Sequence, residues 1–95
     1  MNDQVKDYRL QGIALMGTNN FIEAQDMFKK ALDIEESLDL WEDLGNAYAS
    51  NGEYKKAINA FTNALSFEPE NGAILFNIGS VYLLEERINK SIEYY

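Results

Sequence analysis

Residues 41–69, WEDLGNAYASNGEYKKAINAFTNALSFEP, decide how this chain folds. Apolar side chains fall three or four apart on either side of a polar break. Leu38, Trp41, Leu44, Ala47 and Tyr48 precede it, and Tyr54, Ala57, Ile58, Phe61, Ala64 and Leu65 follow it. That is the period of a helix with one buried face, and nothing alternates in twos as a strand would. The break, Ser50-Asn51-Gly52-Glu53, puts a glycine where a helix can end in the left-handed conformation and a carboxylate where the next one starts. The stretch reads as two antiparallel helices joined by a tight turn.

Punctuation of the same kind recurs outward from it. Gly17-Thr18-Asn19-Asn20 offers Asn20 as the cap of a helix beginning at Phe21, and Glu85-Glu86-Arg87 stands before Ile88. Longer breaks fall at Glu35-Glu36-Ser37 and at Glu68-Pro69-Glu70-Asn71-Gly72. The expected elements are six helices, at residues 5–17, 21–35, 38–50, 54–67, 72–84 and 88–95. Aligning Gly12, Gly45 and Gly79 gives steps of 33 and 34 residues. The same steps match Ala24 with Ala57, Phe28 with Phe61, Ala31 with Ala64, Leu44 with Ile78, Tyr48 with Tyr82, and Phe21 with Tyr54 and Ile88. Self-similarity at this period marks stacked helix pairs, each burying its apolar face on the next.

At these offsets Trp41, Leu44, Gly45, Tyr48, Ala57, Phe61, Ala64 and Pro69 follow the pattern W-x2-L-G-x2-Y, A-x3-F, P, and so the chain resembles the tetratricopeptide repeat (TPR) family. Repeats fall at about 5–37, 38–71 and 72–95. The first has Tyr8 in place of Trp; the last has Leu75 there, and Ser91 and Tyr95 in place of Ala and Phe. The resemblance implies one all-α domain over residues 1–95, a right-handed α-solenoid of three hairpins with the last incomplete. On size alone, Gly45 and Ala57 belong where two helices approach most closely, while Trp41, Tyr48 and Phe61 fill gaps between hairpins. These are core positions and carry no chemistry.

Composition narrows the function classes. The 95 residues contain neither Cys nor His. The usual zinc ligands, the commonest general base and the thiol nucleophile are therefore missing, and the remaining hydroxyls and carboxylates form no catalytic grouping. The expectation is a protein that is not an enzyme and needs no cofactor or metal. Sixteen acidic against eight basic residues give a formal charge of −8, which repels phosphate backbones and anionic lipid, so neither nucleic acid nor membrane is an expected partner. MNDQVKDYRL shows no basic stretch leading into an apolar run, and no long apolar run follows, so a cytoplasmic location is expected. Asn89-Lys90-Ser91 has the form of a glycosylation acceptor but falls within an expected helix.

The resemblance implies protein–protein interaction, with a peptide laid along the concave surface made by the first helix of each pair. The groove candidates are Lys6, Arg9, Leu10, Ile13 and Met16, then Asp39, Glu42, Asp43, Asn46 and Ser50, then Ala73, Phe76, Asn77, Ser80 and Leu83. One subset of the family grips the carboxylate of chaperone tails with Lys, Asn, Asn, Lys and Arg. Those positions fall here on Arg9, Ile13, Asp43, Ala73 and Asn77, so only Arg9 keeps a cation and Asp43 adds repulsion. Asp39, Glu42 and Asp43 point instead to a ligand with Lys or Arg, flanked by apolar contacts to Ile13, Met16, Phe76 and Leu83. Two other roles are open at this point: self-association through an uncapped C-terminal end, where Ile92 and Tyr95 have no helix to cover them, and a regulatory module of a longer protein. A cut from a longer array explains such an end most simply.

Overall fold

The computed structural model describes residues 2–93, with side-chain surroundings given as far as Lys90. Among them five helices follow one another: α1 (Asp3–Gly17), α2 (Phe21–Ile34), α3 (Leu38–Ser50), α4 (Tyr54–Leu65) and α5 (Gly72–Glu93). Short polar side chains set three of the starts. Asn2 Oδ1 accepts from the Gln4 amide at 2.7 Å, Ser37 Oγ from the Leu40 amide at 3.3 Å, and Asn71 Oδ1 from the Ile74 amide at 3.0 Å. Each satisfies an N–H that the first helical turn leaves without a partner. Asn20 does precede the helix at Phe21, but it makes no side-chain cap; its amide donates to Thr18 Oγ1 at 2.8 Å.

The two tight turns share one backbone device. Asn19 has φ 62° and Gly52 has φ 77°, a conformation that glycine adopts freely and asparagine tolerates. Beyond each, the N–H of Asn20 and of Glu53 reaches back to the carbonyls of Leu15 and Tyr48, both at 2.9 Å, which closes the helix end.

The break expected at Glu85-Glu86-Arg87 is absent. α5 runs unbroken from Gly72 to Glu93, so the expected helices 72–84 and 88–95 form one element, and Tyr94 and Tyr95 lie outside the described residues. The third unit is incomplete as expected, but through a straight helix and not a shortened hairpin. The cause is local. Glu86 occupies the place of Asn19 and Gly52, where a left-handed residue with a Cβ costs about 1–2 kcal/mol. Glu85, Glu86 and Arg87 are all good helix formers, and Lys90 donates to Glu86 at 3.1 Å one turn on.

α1 packs on α2 and α3 on α4, α2 lies against α3 and α4 against α5, and α1 also touches α3. The body measures 49 × 31 × 18 Å, its thinnest dimension about two helix diameters, as a double layer of first and second helices requires. Ala24, Phe28 and Ala31 of α2 and Ala57, Phe61 and Ala64 of α4 are buried. The pairs close on two glycines: a Cβ at Gly12 would lie 2.5 Å from the Phe28 ring, and one at Gly45 would lie 2.6 Å from the Phe61 ring. Phe61 therefore fills its own pair and not the gap between pairs. Tyr48 does reach the preceding unit, with Lys29 of α2 standing 5.6 Å from its ring centre. Trp41 is half-buried, its Nε1–H donating to Glu36 at 3.2 Å.

A second tie between units is polar. Buried Gln25 of α2 donates from Nε2 to Glu53 Oε2 at 2.7 Å, and Asn51 donates to the same oxygen at 3.0 Å. These two bonds, with Lys56 nearby, hold the Glu53 carboxyl below the usual range. No helix among the described residues is long and apolar enough to cross a membrane.

Candidate functional site on the first helices

The repeat step aligns the candidate residues in columns: Lys6 with Asp39 and Ala73, Arg9 with Glu42 and Phe76, Leu10 with Asp43 and Asn77, Ile13 with Asn46 and Ser80. Residues three, four and seven apart share a helix face, so each first helix presents these side chains on the side turned away from its pairing glycine. On α1, Lys6, Leu10 and Ile13 are exposed, Leu10 at 65%, while Arg9 and Met16 are half-buried. A shallow depression of about 180 Å³ is lined by Lys6, Arg9, Leu10 and Ile13. On α3, Asp39, Asn46 and Ser50 are exposed and Glu42 and Asp43 half-buried. On α5, Ala73, Phe76 and Leu83 are exposed, Phe76 at 75%, and Asn77 and Ser80 are half-buried.

One direct bond joins two of these helices. Arg9 Nε donates to Asp43 Oδ2 at 2.7 Å, between side chains that are 32% and 17% exposed. That bond raises the guanidinium above its ordinary value, outweighing the opposing effect of partial burial. Burial nevertheless pushes the Asp43 carboxyl above its usual value, with Asp39 adding to the push and Arg9 opposing it. Glu42 is raised as well, by burial first and then by the carboxylates of Asp43 and Asp39. Among the described residues neither Asp39 nor Glu42 forms an ion pair.

The acidic trio therefore divides. Asp43 is already neutralised from within the chain, and two carboxylates remain, one exposed and one half-buried. The pairing also ties up the single cation that the carboxylate-gripping subset would have kept in this chain. Sequence reasoning treated Arg9 and Asp43 as separate groove residues and missed their bond. The available signal was opposite charge one column apart on neighbouring first helices.

α5 departs further from expectation. Leu75 and Tyr82, counterparts of Trp41 and Tyr48, are 48% and 54% exposed. Among the described residues nothing lies within 4 Å of a Cβ built on Gly79, where Gly12 and Gly45 each meet a ring. Among the described residues, the unbroken course of α5 leaves the core side of the third unit uncovered.

With this geometry in hand, comparison with known proteins is direct. Residues 45–84 match the family model described as TPR repeat. Those residues carry tetratricopeptide-repeat sequence. Among its relatives are two proteins named photosystem I assembly protein Ycf3, both from Prochlorococcus marinus, one from strain NATL2A at 32% identity and one from subspecies pastoris at 34%. Each alignment takes in 79% of this chain and 46% of the relative, so the chain spans about half the length of these curated relatives. Among solved structures, yeast Tom70 superimposes with a TM-score of 0.77 at 22% identity, over 81% of this chain and 16% of that one. At that identity the likeness concerns the fold, and it agrees with an all-α TPR solenoid.

Proposed function

We propose that this TPR chain is a non-catalytic protein-interaction module whose first helices receive an extended segment of a partner protein. The observation that carries the reading is Glu42, half-buried beside Asp39 and in no ion pair among the described residues. Its column neighbours are Arg9, already neutralised by Asp43, on one side and apolar Phe76 on the other. A carboxylate partly buried among other carboxylates is relieved by a cation, so the ligand is a peptide with Lys or Arg set beside apolar residues. Leu10 and Ile13 at one end, and Phe76 and Leu83 at the other, offer the apolar contacts. The basic preference rests on two carboxylates, Asp39 and Glu42, and not on three.

Two relatives are named for photosystem I assembly, which supports a role in holding a partner polypeptide during assembly. We place that role in the cytoplasm, in one continuous array formed by the repeats of residues 1–95. The test is selection of binders from a library of random peptides. Selected sequences should pair Lys or Arg with apolar residues, and Asp39→Asn with Glu42→Gln should weaken them about tenfold, equivalent to about 1.4 kcal/mol, and flatten their salt dependence. Selection of acidic peptides, or affinity indifferent to the double variant, would defeat the proposal.

A further inference from the structure

The first helices carry a charge order that a purely basic peptide does not match. Along one exposed column the repeat step places Lys6 on α1, Asp39 on α3 and Ala73 on α5. Lys6 borders the depression of about 180 Å³ together with Arg9, Leu10 and Ile13. It is in no ion pair among the described residues, although Asp3 and Asp7 share its helix, and Asp39 is in none either. These two opposite charges are column neighbours, yet the direct bond between α1 and α3 runs through Arg9 and Asp43. A positive pole at Lys6, a neutral bridge and a negative pole at Asp39 and Glu42 therefore follow one another. Beyond them stands Phe76, 75% exposed.

The spacing of these poles matches one backbone form. Neighbouring packed helices stand about 8–10 Å apart, and α1 touches α3. A polyproline II segment returns its side chains to the same side every third residue, a rise of about 9 Å. A β-extended chain returns them every second residue, after about 7 Å, and so falls short of the step between helices.

We propose, building on the peptide-binding reading above, that the ligand is bipolar: it carries Asp or Glu three residues from its Lys or Arg, and an apolar residue three beyond the base. The acid meets Lys6 over the apolar floor of Leu10 and Ile13, the base meets Asp39 and Glu42, and the apolar side chain meets Phe76. Lys6 then selects among ligands. A wholly basic segment would set a cation against it, and exchanging acid and base would bring like charges together at both poles. The residues between acid and base cross the Arg9–Asp43 bond, which needs no charge from the ligand.

Calorimetric titration with capped peptides held in polyproline II by proline spacers tests this. The probes are acetyl-Glu-Pro-Pro-Lys-Pro-Pro-Leu-amide and the reversed sequence, acetyl-Leu-Pro-Pro-Lys-Pro-Pro-Glu-amide, since the order of poles leaves the chain direction open. One of the two should bind, and its form with Gln for Glu at least about fivefold more weakly. Lys6→Met, a change at an exposed side chain with the fold checked by circular dichroism, should weaken the Glu peptide by a similar factor and leave the Gln peptide unchanged. A peptide of the same composition with Glu and Lys adjacent should lose the advantage as well. Equal affinity for the Glu and Gln peptides, an effect of Glu that survives Lys6→Met, or no binding of either direction at millimolar concentration would overturn the bipolar ligand. Where Gln for Lys still weakens binding but Gln for Glu does not, the basic-ligand reading stands and this one falls.

Discussion

Gly45→Ala tests the central packing contact. A Cβ there would stand 2.6 Å from Cε1 of Phe61, whereas ordinary contact begins at 3.4 Å, so the ring must retreat by close to 1 Å. Phe61 is 1% exposed and has no open side to move into. Overpacking of this kind costs about 1–3 kcal/mol. The alanine also gains about 0.8–1.0 kcal/mol of helix propensity over glycine, so the net change should run from about zero to about 2 kcal/mol of destabilisation. Gly79→Ala supplies the reference, because it makes the same chemical change on a first helix with nothing within 4 Å. Compared where both variants are monomeric, Gly79→Ala should stabilise and Gly45→Ala should lie about 1–3 kcal/mol below it, with each kcal/mol worth about 4–8 °C in Tm. Thermal unfolding followed by far-UV circular dichroism reads the difference, and Phe61→Leu in the Gly45→Ala background should recover part of it. Equal shifts for the two glycines would refute the claim that ring-on-glycine contact closes each pair.

Three further outcomes follow from the electrostatics. Arg9→Met strands Asp43 at 17% exposure, and urea unfolding should show a loss of about 1–2 kcal/mol, between the values for exposed and buried pairs, that shrinks as acid protonates Asp43. Glu42→Gln should raise Tm at neutral pH: a carboxyl whose folded pKa is raised opposes folding when ionised, so the gain is full above that pKa and fades as pH falls through the carboxylate range. Glu53→Ala should have the opposite sign, leaving the Gln25 amide buried without its acceptor at about 1–3 kcal/mol. The carboxyl of Glu53 is lowered, so its contribution is present at neutral pH and lost as pH falls through the folded value, which a urea titration at several pH values will show.

The first four helices were legible because their punctuation is chemical. Asn19 and Gly52 are residues that accept a left-handed backbone, and the apolar period resumes on either side of each. The end of the chain misled for the same reason in reverse. Glu85-Glu86-Arg87 is polar like a turn but helical in every local preference, and polarity was read where backbone conformation decides. Within the site, the columns of exposed side chains followed from the repeat step, because that step fixes which residues share a face. The Arg9–Asp43 bond did not follow, since it depends on how two first helices lean together and on which rotamers meet across the gap. Exposure of Leu75 and Tyr82 was hidden too: both copy core positions, and it is the unbroken course of α5 that leaves them open among the described residues.

The most direct measurement of where a partner binds is an amide and methyl chemical-shift map of the labelled chain titrated with a library-selected peptide. Binding in the proposed groove predicts shifts concentrated on the first helices, at Leu10, Ile13, Asp39, Glu42, Phe76 and Leu83, with α2 and α4 little changed. Shifts centred on the outer faces of α2 and α4, with Asp39 and Glu42 unmoved, would contradict it.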